Sequence, residues 1–231
     1  DGALNNTAIG YGALSSITTE DANVAIGSEA MLQGGGSQNI AIGEKAMYQG
    51  PTGGTNYAIG RYTMMDCNAG ATALSSNSNI AIGHAALGGT WADAASNYNI
   101  AIGHLAMDAG VNGALYNIAL GYNSLTSLTT GDANVSIGYG AGYALTTGFS
   151  NILIGRAAGD AATDMTNTVI IGHYAGSSIN TNNSQGSVLI GSEAGTNQTG
   201  GVNTFIGYKA GRENRTGTYN TTLGFEAGMH A

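Results

Sequence analysis

The 231 residues include 39 glycines, only 9 % charged residues and a formal net charge of −8. Six Lys or Arg in the whole chain cannot build the basic patch that a nucleic-acid backbone or an anionic membrane surface requires, and no apolar run approaches the ~20 residues of a membrane span. A single Pro excludes collagen and Pro-rich linkers, so a low-charge, Gly-rich chain of this kind is ordered only if its backbone groups pair in ladders.

Taken from the N-terminus, an Ile-Gly or Leu-Gly pair recurs with its glycine at Gly10, Gly27, Gly43, Gly60, Gly83, Gly103, Gly121, Gly138, Gly155, Gly172, Gly191, Gly207 and Gly224. The spacings are 17, 16, 17, 23, 20, 18, 17, 17, 17, 19, 16 and 17 residues. A period this short fits one turn of a β-solenoid and is too short for a helix pair or a propeller blade. In each unit the residues before the glycine read as a short strand, as in Asn39-Ile40-Ala41-Ile42, and the glycine turns the chain. Two variable, often polar residues follow, such as Glu44-Lys45, then a small residue that opens a second short strand. Length changes fall after it, in stretches such as Thr129-Thr130-Gly131-Asp132, which read as surface loops.

The fold expected is therefore all-β, a parallel β-solenoid of about thirteen coils forming one domain over 1–231, and at ~4.8 Å per coil a rod about 60 Å long. Asn stands four positions before the glycine in eleven coils: Asn6, Asn23, Asn39, Asn56, Asn79, Asn99, Asn117, Asn134, Asn151, Asn203 and Asn220. Stacked coils would place these amides one above another as a structural ladder. Thr168 and Ser187 fill the other two places.

The coils come in two kinds. Up to residue 128, Ala stands two before the glycine (Ala8, Ala25, Ala41) and Leu or Met four after it (Leu14, Met31, Met47). From 129 to 231 the later position is Gly (Gly142, Gly159, Gly176, Gly195, Gly211, Gly228) and the earlier one is Ser136, Leu153, Ile170, Leu189, Phe205 or Thr222. A large residue lost in one column and gained in another means that the two columns share one space. The Ile column beside the glycine points to the opposite face of the strand, so both faces are apolar or small. A strand of that kind is normally covered on both sides. The expected cover is another copy of the chain, with a homotrimer the simplest arrangement; the alternative is a wider monomer whose loops cover the second face.

Candidate chemistry is sparse. No cofactor and no metal site are expected. Cys67 is the only cysteine and reads as a buried thiol. His84, His104 and His173 follow repeat glycines and share their column with Tyr and Arg, which reads as a mixed aromatic edge. The two longest coils are adjacent and hold Met65, Asp66 and Cys67 in one loop and Trp91, Asp93 and Tyr98 in the other. Insertions on one side of a solenoid commonly build a binding face, so Trp91, Asp93, Tyr98 and Asp66 are the candidate receptor- or glycan-binding residues.

Units such as Asn6-Thr7-Ala8-Ile9-Gly10-Tyr11-Gly12-Ala13-Leu14 and Asn203-Thr204-Phe205-Ile206-Gly207-Tyr208-Lys209-Ala210-Gly211 resemble the repeats of bacteriophage tail-fibre proteins. They also resemble the head repeats of YadA-like trimeric autotransporter adhesins, whose motif is Asn-Ser-Val-Ala-Ile-Gly-x-x-Ser; here Asn lies one position closer to the glycine and Ala replaces the later Ser. That resemblance implies a left-handed parallel β-roll, a homotrimer and attachment to host surfaces. The expected function is a structural and adhesive fibre segment, extracellular or on a virion, not an enzyme, with itself and a host-surface glycan or receptor as partners. The alternatives are a self-polymerising extracellular filament subunit and a polysaccharide-degrading tailspike; an ice-binding solenoid would need a flat Thr ladder. The ends read as cut from a repeat array, so a longer parent protein is expected.

Overall fold

A computed structural model describes residues 2–67, 75–92, 94–179 and 185–229. Each coil contributes one three-residue strand, because the Gly at its end leaves the strand with φ between +123° and +143°, a conformation closed to other residues. Two compact units result. The first, Asp1–Asn117, holds β1 (Thr7–Ile9), β2 (Val24–Ile26), β3 (Ile40–Ile42), β4 (Tyr57–Ile59), β5 (Ile80–Ile82) and β6 (Ile100–Ile102). The second, Ile118–Ala231, holds β7 (Ile118–Leu120), β8 (Val135–Ile137), β9 (Ile152–Ile154), β10 (Val169–Ile171), β11 (Val188–Ile190), β12 (Thr204–Ile206) and β13 (Thr221–Leu223).

Within each unit the strands pair in parallel and in chain order, so the fold is the all-β parallel solenoid that the glycine spacing implies. Register is kept residue for residue: Ala8, Ala25, Ala41, Ala58, Ala81 and Ala101 stack in the first unit. In the second, Ala119, Ser136, Leu153, Ile170, Leu189, Phe205 and Thr222 stack. No α-helix occurs among the described residues.

The middle residue of each strand points inward and is buried in all but the terminal strands, together with the small residue three past the glycine, such as Ala46, Ala86, Ala158 or Ala194. In the first unit Met31, Met47, Met64, Leu87 and Met107 fill the rest of the interior. In the second, Leu153, Ile170, Leu189 and Phe205 reach into the space that those side chains occupy. A Cβ on Gly142 would lie 2.7 Å from Leu153 Cδ1, on Gly176 2.9 Å from Ile170 Cδ1, and on Gly211 2.4 Å from the Phe205 ring. The two columns do share one volume.

The asparagines line the interior, where they make two kinds of bond. The backbone N–H of each of Asn23, Asn39, Asn56, Asn79, Asn99 and Asn117 donates to the Oδ1 of the Asn one coil before, at 2.8 to 3.0 Å. The side-chain amides donate to loop carbonyls of the following coil, as Asn56 does to Ser76 (3.0 Å) and Asn151 to Met165 (2.7 Å). Direct amide-to-amide bonds join Asn79 to Asn56 and Asn151 to Asn134. Each Asn thus ties a strand start to its neighbour above and a loop below, which satisfies backbone groups that are buried away from water.

Candidate functional site

Strand residues on either side of the inward one face out. They form two columns of β-branched and aliphatic side chains: Val24 with Ile26, Ile80 with Ile82 and Ile100 with Ile102 in the first unit, Val135 with Ile137 and Ile152 with Ile154 in the second. Ile59, Ile82, Ile102, Ile137 and Ile152 are 36 to 39 % exposed, so the described loops leave this face partly open. No charged residue stands in either column. The residues just past the glycine stack along one side of it: His84 on His104 (ring centroids 4.8 Å apart), Tyr122 on Tyr139 (5.2 Å) and Tyr208 on Phe225 (5.2 Å).

The loop residues expected to bind a ligand separate in the structure. Trp91 is fully buried and its indole N–H donates to the Leu87 carbonyl at 3.2 Å, so it is a core residue and offers no face to a sugar. An indole buries more area than any other side chain, and the longer coil is filled by it. Asp93 lies outside the described residues. Tyr98 is half exposed, but one face of its ring is stacked parallel on Tyr116 at 5.1 Å and so is already occupied. Cys67 is buried, donates to the Met64 carbonyl, and has its thiol pKa raised by burial and secondarily by Asp66.

Asp66 is the one that lines a cleft. Its backbone is pinned from both neighbouring coils: Gln49 N–H donates to Met65 O (2.9 Å), Cys67 N–H to Gln49 O (3.0 Å) and Trp91 N–H to Asp66 O (3.0 Å). Thr90 Oγ1 donates to Asp66 Oδ2 at 2.8 Å. Around it Lys45, Tyr48, Gln49 and Met65 enclose about 240 Å³. Lys45 Nζ stands 5.4 Å from the Tyr48 ring centre and 3.5 Å from Glu29 Oε2. Lys45, Tyr48 and Gln49 escape a sequence search because nothing in the repeat marks them; only the stacking of the 17-residue coil on the 23-residue one brings them beside Asp66. A second cleft of about 320 Å³, between Thr199–Val202 and Thr216–Tyr219, is lined by hydroxyls and glycine backbone.

The His84–His104 stack lies close to Asp108, whose carboxyl pKa is raised by burial, the two imidazoles opposing that shift. No group of three His, Cys, Asp or Glu side chains among the described residues is placed to hold a metal. A carboxyl whose folded pKa lies above its unfolded value favours folding below the unfolded pKa, and that contribution is lost as pH rises through the folded pKa. Asp108→Asn is therefore expected to raise the melting temperature at pH 7 and to change it little at pH ~3, where Asp is itself largely neutral. Calorimetry at the two pH values checks this.

No protein-family model matches the chain, and no curated protein and no solved structure is significantly similar to it.

Proposed function

We propose that the chain is a structural and adhesive fibre segment that assembles with copies of itself through the outward strand face, outside the cell or on a virion, and carries its loops as the contact surface. The observation that carries this reading is the partly exposed, uncharged and mostly aliphatic double column in each unit. In the first unit Ile9, Tyr57, Ile59, Ile82 and Ile102 of these columns are more than a third exposed and Val24, Ile26, Ile40, Ile42, Ile80 and Ile100 are partly exposed, a continuous surface of the kind that interfaces cover. A partner has to present ridges at the same ~4.8 Å rise to pack against every coil, and a second copy of the chain does so by construction. A face only two columns wide suits convergence of three copies on an axis, in keeping with the resemblance of the repeats to tail-fibre and trimeric adhesin segments. The reading needs neither a cofactor nor catalysis.

Light scattering of the native protein is expected to give the mass of three chains. Ile82→Lys with Ile102→Lys places two ammonium groups one coil apart in the face and is expected to yield monomers with an unchanged circular dichroism spectrum. A wild-type monomer sinks the proposal; long filaments in negative stain move it to the self-polymerising alternative.

A further inference from the structure

We infer that the cleft formed by Lys45, Tyr48, Gln49, Met65 and Asp66 binds a single neutral pyranose of a surface glycan; this rests on the adhesive reading and gives it a site. Three observations lead there.

The first is rigidity. Asp66 is held by the Trp91 N–H and the Thr90 hydroxyl on one side and, through the bonds of its neighbours Met65 and Cys67 to Gln49, on the other, and Met64, Cys67 and Trp91 are fully buried. Ligand-binding groups held this way lose little entropy on binding. The second is open hydrogen-bonding capacity. Asp66 Oδ1 and the side-chain amide of Gln49 make no hydrogen bond to any described residue, although both line the cleft. A carboxylate oxygen beside an amide offers an acceptor and a donor to a vicinal pair of sugar hydroxyls, while the Met65 thioether and the edge of Tyr48 meet the apolar C–H side of the ring. The third is charge. Lys45 already faces Glu29 at 3.5 Å, so Lys45, Glu29 and Asp66 leave the site net negative. Sialic and uronic acids are disfavoured there, and neutral hexoses are not.

Size and position agree. About 240 Å³ has room for one sugar ring, the rest of a glycan lying outside the cleft. None of the five lining residues belongs to a strand, so the cleft stays open when the strand face is covered, and several copies in one fibre engage a glycan-coated surface together.

For a ligand of this size a dissociation constant on the order of 1 mM is expected. The test is saturation-transfer NMR of the 231-residue chain with methyl glycosides of glucose, galactose, mannose and N-acetylglucosamine, repeated on Asp66→Asn and Gln49→Ala and, as a control outside the cleft, on Tyr139→Ala. At least one glycoside is expected to bind, with affinity lowered ~10-fold or more by each cleft substitution and unchanged by the control. No binding at concentrations well above ~1 mM overturns the proposal, as does binding that survives both cleft substitutions. Fibres that adhere equally well with and without Gln49→Ala overturn the cleft and leave the adhesive reading standing. A monomer that still binds the glycoside removes the fibre reading and leaves the cleft.

Discussion

Phe205→Ala is expected to destabilise the protein by about 3–5 kcal/mol, and adding Gly211→Met in the same coil is expected to recover most of that loss. The Phe205 ring is fully buried and is the large side chain of its coil. A Cβ on Gly211 would lie 2.4 Å from two of its ring carbons, so Gly211→Met alone cannot coexist with the ring and is expected to cost as much as the truncation or more. Removing the ring vacates the space that the new methionine needs. The combined variant reproduces the pairing of Ala41 with Met47 in the first unit, where both residues are fully buried and Met47 takes φ +50°, close to the +59° of Gly211. What remains is the penalty of a side chain in the left-handed region, about 1–2 kcal/mol. Denaturant unfolding of the two single variants and the pair, at one protein concentration, should give a coupling energy above ~2 kcal/mol. Additive losses would mean that the two columns do not exchange volume after all.

The same exchange explains how one solenoid tolerates two cores. In the coils up to residue 128 the strand supplies Ala and the following turn supplies Met or Leu; in the later ones the strand supplies Leu, Ile or Phe, with Ser136 and Thr222 at either end, and the turn supplies Gly. Total volume is held while the origin of the filling side chain moves, which is what close packing demands. The Gly turns also relieve the left-handed strain that Met31, Met47, Met64 and Met107 carry at φ 46° to 50°.

The period, the parallel pairing and the shared column were legible in the spacing of the glycines and in the reciprocal sizes of two positions, because both follow from stacking identical turns. The turn itself was not. Lys45, Tyr62, Leu105 and Glu193 adopt φ of 55° to 59°, and the residue before each ladder Asn, such as Gln38 or Tyr98, adopts φ of 55° to 64°. Nothing in Lys, Tyr or Leu favours that region; the conformation is imposed by inter-coil bonds such as Lys45 N–H to Ser28 O (2.9 Å) and Glu193 N–H to His173 O (2.9 Å). Trp91 misled for a related reason. An insertion is expected to bulge outward, yet here the 20-residue coil folds its aromatic residue into the interior, beside the equally buried Cys67 and Val111. The cleft at Asp66 depends on which residues of two unequal coils come side by side, a register that coil length alone does not determine.

Gly155→Ala is expected to cost more than ~4 kcal/mol or to prevent folding, while Gly140→Ala, fifteen residues earlier, should cost about 1 kcal/mol. The φ of Gly155, +132°, is closed to other residues, whereas the +62° of Gly140 is not, and the surroundings act in the same direction. A Cβ on Gly140 meets nothing within 4 Å and its φ is one that alanine adopts at modest cost. A Cβ on Gly155 lies 2.5 Å from the carbonyl oxygen of Gly172 and 2.7 Å from its carbon, and both are backbone atoms of the next coil. Backbone cannot rotate away as a side-chain end can; the coils would have to part. Parting is opposed at once by the Gly155 N–H to Ile137 O and Gly172 N–H to Ile154 O bonds, each 2.8 Å, and by the β9–β10 ladder. The same contact recurs at Gly43 under Gly60 (2.4 Å) and Gly191 under Gly207 (2.2 Å), so the glycine column sets how closely coils approach. Thermal unfolding of the two alanine variants checks this: a large gap is expected, and equal losses would mean that neither the φ of +132° nor the close backbone contact sets the repeat glycine apart.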